Sequence, residues 1–212
     1  MQGFAQGYYR FSVWVVRLVY VNILWLLFTV IGLGVLGLMP ATAGMFAIVR
    51  KWIRGEDDLA IFKTFKDSFR TEFLKANILG YILAVVGYFL YLDIQFMRIQ
   101  EGLFFQFFTY IIIVVFFLYF ITLLYVFPIF AHFELKMQQY IKWPLALGVM
   151  HPIITIIVLG GLFIIYYVTI QLVPALFILF GPPLIAIVLS WGAKLIFDKL
   201  EQKGKESEQQ DL

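Results

Sequence analysis

Cysteine is absent from this chain of 212 residues, and charged residues make up only 14% of it. The first absence excludes disulfides, thiolate metal ligands and thiol nucleophiles. Histidine occurs twice, without the H-E-x-x-H spacing of a zinc site, and there is no G-x-x-x-x-G-K-[ST] loop to bind nucleotide phosphates. We therefore expect no metal and no cofactor, and the usual sequence signatures of an enzyme are missing.

Apolar side chains are abundant where charged ones are scarce. Apolar residue types form 63% of the chain, including 24 phenylalanines, 12 tyrosines and 5 tryptophans. A soluble domain is nearer half apolar and about a quarter charged, and a soluble core of this size has no room for so many large side chains. The sequence thus predicts an integral membrane protein of the all-α class.

Five segments are long enough to cross a bilayer, which takes roughly 20 mostly apolar residues per helix. None of them shows the alternation of a membrane β-strand. We predict a polytopic bundle of about five membrane-spanning helices with a broken first helix, in a single domain over residues 1–200 that is followed by a polar cytoplasmic tail at 201–212. The predicted crossings lie at about residues 18–39, 74–92, 104–130, 152–172 and 174–197.

The distribution of lysine and arginine predicts which ends face the cytoplasm, because cytoplasmic loops are enriched in these residues. Thirteen cations fall between the first two segments, in the third connection and at the C-terminal end, while Arg10, Arg17 and Arg98 fall elsewhere. With five crossings, the C-terminus is then cytoplasmic and the N-terminus lies outside. If residues 40–50 turn back into the membrane, the N-terminus is cytoplasmic as well.

The stretch L-M-P-A-T-A-G-M-F-A-I-V-R-K-W, residues 38–52, allows three interpretations. Cleavage of a signal peptide after Ala41-Thr42-Ala43 is disfavoured, because the preceding apolar run is longer than the usual length of about 7–15 residues. A dinucleotide-binding turn at G-L-G-V-L-G, residues 32–37, requires a strand before it and is rejected.

A broken helix is the third interpretation. The glycines loosen the end of the first segment, and Pro40 suits the first turn of a new helix because it has no N–H to leave unpaired. Thr42 and Gly44 belong to a small-residue surface that allows close packing. Whether this piece is a simple helix end or a packed half-helix stays open. Its anchors at the cytoplasmic interface are Arg50, Lys51 and Trp52.

Further along the chain, phenylalanines recur at helical spacing in a segment whose other residues are largely charged. This pattern predicts an amphipathic helix over about residues 58–73 that lies along the inner membrane face, with Asp57 or Asp58 as its N-cap. The helix either covers the protein's own bundle or docks a cytoplasmic partner. Its apolar stripe consists of Phe62, Phe65, Phe69 and Phe73.

The order of residues across this region resembles a known family. P-A-T-A-G-M-F-A-I-V-R-K-W-I-R-G-E-D-D, from residue 40, and I-F-K-T-F-K-D-S-F-R-T-E-F-L-K-A-N-I-L-G, from residue 61, are similar to the YesL family of bacterial membrane proteins. The resemblance is dense over about residues 20–93, with Gly44 where the family pattern has alanine. It implies a multi-pass protein of the bacterial cell membrane, associated with carbohydrate uptake beside sugar ABC-transporter components. It carries no catalytic residues.

Polar and helix-breaking residues inside apolar segments are further candidates for function, because they are costly in lipid. Asn77 and Gly80 share a face of the second segment, where helix packing is the favoured role. A charged cluster after that segment and a glycine-proline-proline run in the fifth are candidates for a substrate path, although an ordinary loop and an inert kink are the favoured explanations. The path residues concerned are Asp93 and Arg98 in the cluster and Gly181 and Pro182 in the run.

We expect a non-enzymatic membrane protein that serves as an accessory or partner subunit in carbohydrate uptake, the role implied by the resemblance. The alternative is a stand-alone transporter of small solutes that uses the broken helix at residues 181–183. The expected surroundings are the lipid bilayer, with sugar ABC-transporter components as partners and a homo-oligomer left open. Because the cations flank apolar segments and form no phosphate-tracking surface, we expect no nucleic-acid binding.

Overall fold

The computed structural model describes residues 2–56, 58–100, 102–172 and 174–210, without the side chains of residues 2–5, 98, 172 and 203–210. Nearly all of these residues are helical, and no strand occurs among them. The predicted all-α fold with five membrane-length helices is therefore confirmed. By length and composition, the helical stretches able to cross a membrane are Gln6–Ile31, Phe73–Met97, Leu103–His132, Pro152–Gln171 and Ala175–Gln202.

Eight α-helices make up the described fold. They are α1 (Gln2–Ile31), α2 (Val35–Ile53), α3 (Ile61–Thr71), α4 (Phe73–Ile99), α5 (Leu103–His132), α6 (Gln139–Met150), α7 (Pro152–Tyr166) and α8 (Ala175–Gln210). A π-helical turn, Tyr167–Leu172, extends α7 toward α8. The last four predicted crossings correspond to α4, α5, α7 with its π-helical turn, and α8, whereas α6 was not predicted.

The first predicted crossing is divided between α1 and α2, which form a hairpin. The turn is closed by hydrogen bonds from the Gly32 N–H to the Phe28 carbonyl (2.9 Å) and from the Gly34 N–H to the Thr29 carbonyl (2.8 Å). Gly34 has a φ of 71°, a left-handed value that glycine adopts at little steric cost. A Cβ atom at Gly37 would lie 2.8 Å from the Phe28 carbonyl oxygen, so glycine at this position lets the two backbones touch.

The second helix of this hairpin begins earlier than the sequence suggested. We expected Pro40 in the first turn of a new helix, but α2 starts at Val35 and Pro40 lies inside it. The glycine turn reverses the chain before the proline is reached, and Pro40 then removes one hydrogen bond close to the start of α2. Because α2 packs against α1, α3, α4, α5 and α8, it forms the centre of the bundle.

Contacts along the hairpin show which ends of the helices lie together. The turn at Gly34 makes α1 and α2 antiparallel, and Trp14 of α1 meets Trp52 of α2 with ring centroids 5.4 Å apart. The Lys194 ammonium of α8 donates a hydrogen bond to the Ile53 carbonyl at the end of α2 (3.2 Å). The start of α1 and the second half of α8 thus lie at the same end of the bundle. Because α2 runs back beside α1 in addition to the five membrane-length helices, this arrangement agrees with the second expectation, termini on one side, and not with the first. The side of the membrane that this end faces stays a prediction.

Small residues fix the other helix pairs. The Tyr119 hydroxyl of α5 donates to the Leu83 carbonyl of α4 (2.8 Å), where Gly87 leaves room for the tyrosine ring. In the same way, Gly192 of α8 lies against Val158 of α7. Such contacts allow helices to approach closely in lipid, where the hydrophobic effect does not drive them together.

Candidate functional site

A polar cavity of about 140 Å³ lies where the end of α2, the end of α5 and the second half of α8 meet. We call it the basic cavity, after its cations Arg50, Arg54 and Lys194. Its other polar lining residues are His132, Ser190, Asp198 and Glu201.

The end of α2 positions the two arginines. The Gly55 N–H closes the helix on the Trp52 carbonyl (2.9 Å), with Gly55 at a φ of 85°, as in the left-handed ends typical of helices followed by glycine. Arg50 and Arg54, one turn apart, both line the cavity. Like charges at this spacing repel each other, and the negative end of the helix dipole offsets part of that repulsion.

Arg54 is held by a histidine of another helix. Its Nη2 atom lies 3.1 Å from Nε2 of His132, the last residue of α5. A guanidinium group only donates hydrogen bonds, so Nε2 must accept and His132 must be neutral. The imidazole ring also lies 4.7 Å from the rings of Phe133 and Phe197, centroid to centroid. His132 therefore acts as a fixed acceptor that orients Arg54.

Two polar groups of the cavity have no partner. The Nε atom of Arg50 and the hydroxyl oxygen of Ser190 are buried and make no hydrogen bond. Burial, and next the charge of Arg54, lower the pKa of the Arg50 guanidinium below its usual value, while Glu56 acts in the opposite direction. The guanidinium stays protonated, since its ordinary pKa lies far above neutrality. The cavity thus offers unpaired donors in a positive environment.

The candidate residues of the 40–52 region lie in the core of the hairpin. The Trp25 indole N–H of α1 donates to the Thr42 hydroxyl (3.1 Å), which in turn donates to the Leu38 carbonyl of its own helix (2.8 Å). Pro40, Gly44 and Trp52 are buried, and Lys51 is half-buried. The region therefore joins α2 to its neighbours, and of its candidates only Arg50 lines the basic cavity.

The phenylalanine stripe of α3 packs on the hairpin. Phe65 and Phe69 are buried, and their rings lie 5.2 and 5.0 Å from that of Phe28 in α1. Phe65 also lies 3.3 Å from the position of a Cβ atom at Gly44. Phe62 stays about half exposed, and Phe73 opens α4.

The beginning of α3 differs from the expectation. The helix starts at Ile61 with Ala60 as its N-cap and without a side-chain cap, so Asp58 does not have the capping role that we expected. Asp57 lies outside the described residues.

The two candidates of the second crossing are packing residues in this structure. The Asn77 amide donates to the Phe73 carbonyl one turn back (2.9 Å), and its oxygen is buried without a partner. A Cβ atom at Gly80 would meet the Met39 side chain of α2. Both residues therefore lie where α4 meets the rest of the bundle.

The four candidates for a substrate path are not brought together. Asp93 lies within α4, which continues to Ile99, and is exposed; the side chain of Arg98 is outside the described part. Gly181 and Pro182 lie inside α8, which runs without the expected break. The carbonyl that Pro182 leaves free, that of Ile178, accepts a hydrogen bond from Asn22 of α1. Among the described side chains, Asp93 and the Gly181–Pro182 pair form no joint site.

Sequence reasoning missed the basic cavity as a unit. Arg50 was predicted as a membrane anchor, and Ser190 was not singled out. The sequence pattern that indicates this cavity is the spacing of four residues between Ser190, Lys194 and Asp198. This spacing places the three side chains on one face of α8. Within the described ranges, no group of three or more histidines and carboxylates is placed to hold a metal.

These features define a multi-pass helical membrane protein whose polar cavity lies at one end of the bundle. The chain belongs to the family described as protein of unknown function DUF624, whose profile matches residues 18–94. That segment holds about the second half of α1, together with α2, α3 and most of α4. The predicted resemblance to the YesL family is confirmed by the relatives of the chain.

Three relatives come from Bacillus subtilis (strain 168), and all three are uncharacterized proteins. YteU is 36% identical over 197 residues, which cover 93% of this chain and 88% of YteU. YesL is 35% identical over 157 residues, 74% of each chain. YesV is 35% identical over 187 residues, 88% of this chain and 89% of YesV. No solved structure matches the chain.

Proposed function

We propose that the protein is a non-enzymatic membrane subunit that binds a component of a carbohydrate importer through the charged face of α3. The arrangement of that helix supports the proposal. Phe65 and Phe69 are buried, while Lys63, Asp67 and Arg70 are exposed. None of these three charged groups has an interaction partner in the described part of the chain.

A short helix that is fixed by its apolar side presents its charges in one orientation. Charges arranged in this way give a protein interface its specificity and its register. The kind of partner, a carbohydrate importer, follows from what the resemblance to the YesL family implies.

The alternative function, stand-alone transport, has less support. Transporters use broken helices whose free backbone groups bind the substrate or its coupling ion. Here α8 is continuous, and Asn22 occupies the carbonyl that Pro182 leaves free. Of the two carbonyls that the proline pair frees, only that of Leu179 is left for a substrate on this helix.

Site-specific photo-crosslinking in native membranes tests the proposal. A photoreactive amino acid replaces Lys63 or Asp67 on α3, and the control replaces Phe107, an exposed apolar residue of α5. We expect the α3 positions to give one discrete adduct that mass spectrometry identifies as an importer subunit. The Phe107 position should not give this adduct.

A charge-reversal pair supplies the functional readout. Lys63→Glu with Arg70→Glu should reduce both the adduct and carbohydrate uptake. The matched control, Lys136→Glu with Lys142→Glu, makes the same change in charge at exposed residues of the α5–α6 region and should leave both unchanged. Cells that carry the α3 double variant must contain the same amount of the protein in their membranes as wild-type cells. If their carbohydrate uptake is then unchanged, the proposal is ruled out.

A further inference from the structure

We propose that the basic cavity is a binding site for a phosphate group, held by Arg50, Arg54 and Ser190. Arg50 and Ser190 both line this cavity, and each carries one buried polar atom without a partner, Arg50 Nε and the Ser190 hydroxyl oxygen. Ser190 is only 8% exposed, so bulk water does not satisfy its hydroxyl. A buried donor without a partner is costly, and a bound ligand removes that cost.

The chemistry of these donors suits an oxyanion. A guanidinium presents its N–H groups in a fixed planar fork that matches the oxygens of phosphate, and the serine hydroxyl adds one more donor. His132 takes one donor of Arg54 and leaves the others free to bind. A bound anion also relieves the repulsion between two arginines that lie one turn apart.

The carbonyls at the end of α2 account for only part of this arrangement. They explain Lys194, whose ammonium donates to the Ile53 carbonyl, because cations are favourable at helix C-termini. They do not reach Arg50 Nε or the Ser190 hydroxyl, which bond to no carbonyl.

The two carboxylates of the cavity leave the proposed site open. Asp198 and Glu201 are exposed side chains, about one and two helical turns beyond Lys194. Neither is paired with Arg50 or Arg54. They are placed to attract a positively charged group attached to the phosphate.

A neighbouring apolar groove favours a phospholipid as the source of the phosphate. This groove, of about 120 Å³, is lined only by apolar surface, including Trp143, Leu147 and Leu200. Phe197 lines both the groove and the basic cavity. A phospholipid places its phosphate on one side of Phe197 and its acyl chain on the other. A soluble phosphate has no apolar part that would fill the groove.

Thermal unfolding of the full-length protein in a neutral detergent tests the site. The additives are phosphatidylglycerol, phosphatidylethanolamine, sodium phosphate, and diacylglycerol as a lipid without phosphate. A ligand that binds the folded state raises Tm as its concentration increases. We expect a rise with either phospholipid and none with diacylglycerol. The same rise with sodium phosphate alone also supports the site but assigns it to soluble phosphates.

Two variants of the cavity and one control outside it make the test specific. Ser190→Ala removes the unpartnered hydroxyl without changing charge, so Tm without lipid should stay equal or increase. The affinity for the effective phosphate compound should fall roughly tenfold, the effect of one hydrogen bond to a charged ligand. Arg50→Gln should weaken binding further, and Lys63→Gln, which removes a charge outside the cavity, should not. Equal binding by wild type, Ser190→Ala and Arg50→Gln, or an equal rise with diacylglycerol, overturns the proposal.

Discussion

The side-chain amide of Asn22 in α1 donates a hydrogen bond to the main-chain carbonyl of Ile178 in α8, at 2.6 Å. Ile178 lies four residues before Pro182, so this carbonyl has lost the N–H that any other residue at position 182 would supply. Asn22 is 2% exposed. A neighbouring helix thus supplies the donor that proline removes, and α8 stays helical through the proline pair.

Asn22→Leu should destabilise the protein by about 1 kcal/mol, because hydrogen bonds between membrane helices are worth roughly 0.6–1.7 kcal/mol. The free energy of unfolding in mixed micelles measures this change. Leucine has the same branched shape and number of heavy atoms, so no cavity forms; the measured change combines the lost hydrogen bond with removal of the buried, unpartnered Asn22 Oδ1.

Pro182→Ala provides the matched control for Asn22, since alanine restores the N–H that bonds the Ile178 carbonyl. In the Pro182→Ala background, Asn22→Leu should cost less than it does in the wild type. If the two effects simply add, the amide does not compensate for the proline.

The relation between Asn22 and Ile178 shows where sequence reasoning ends. Apolar length, periodicity and the phenylalanine spacing are local, and they predicted the crossings and the stripe of α3. Asn22 and Ile178 are 156 residues apart, and no local pattern connects them. The basic cavity likewise joins Arg50, His132 and Ser190 from three helices, so it depends on how the bundle packs.

The position of the first turn was missed for a different reason. Pro40 was the strongest local signal for a new helix, whereas the glycine run was read mainly as a loosened helix end. In the fold, Gly34 reverses the chain and Gly37 allows the two helices to touch. The packing of the hairpin therefore determines where α1 ends and α2 begins, and the proline is accommodated within α2.

Gly37→Ala should destabilise the hairpin by about 1–3 kcal/mol, the usual cost of overpacking. The added methyl group would lie against the Phe28 and Thr29 carbonyl oxygens, which belong to a helix backbone and cannot move alone. Gly80→Ala is the comparison, because the nearest atoms to its Cβ belong to the Met39 side chain, which can change rotamer, and it should cost less. Thermal unfolding in detergent compares the two variants, and an equal loss of stability would refute the role of backbone contact at Gly37.

Phe65→Ala should cost about 3–5 kcal/mol, the range for a buried phenylalanine. Phe65 is fully buried between Phe28 and Gly44. Phe62 lies on the same helix but is 48% exposed, so Phe62→Ala should cost about 1 kcal/mol or less. Denaturant titration of both variants checks the difference. Similar losses would mean that α3 does not depend on Phe65 for its attachment.

The arrangement of the termini leads to a labelling experiment, for which the absence of cysteine provides a clean background. Single cysteines replace Gln6, Leu103 or Gln202, which are all exposed. Because α5 runs from Leu103 to His132 at the basic cavity, the α4–α5 connection lies at the opposite end of the bundle from both termini.

The excess of lysine and arginine near the basic cavity predicts that this end is cytoplasmic. A membrane-impermeant maleimide added to intact cells should then label the cysteine at position 103 and, before permeabilisation, neither of the other two. Labelling at 6 and 202 but not at 103 would reverse the orientation and keep the fold. Labelling that separates position 6 from position 202 would contradict the fold, because the Trp14–Trp52 and Lys194–Ile53 contacts together place the start of α1 and the second half of α8 at one end of the bundle.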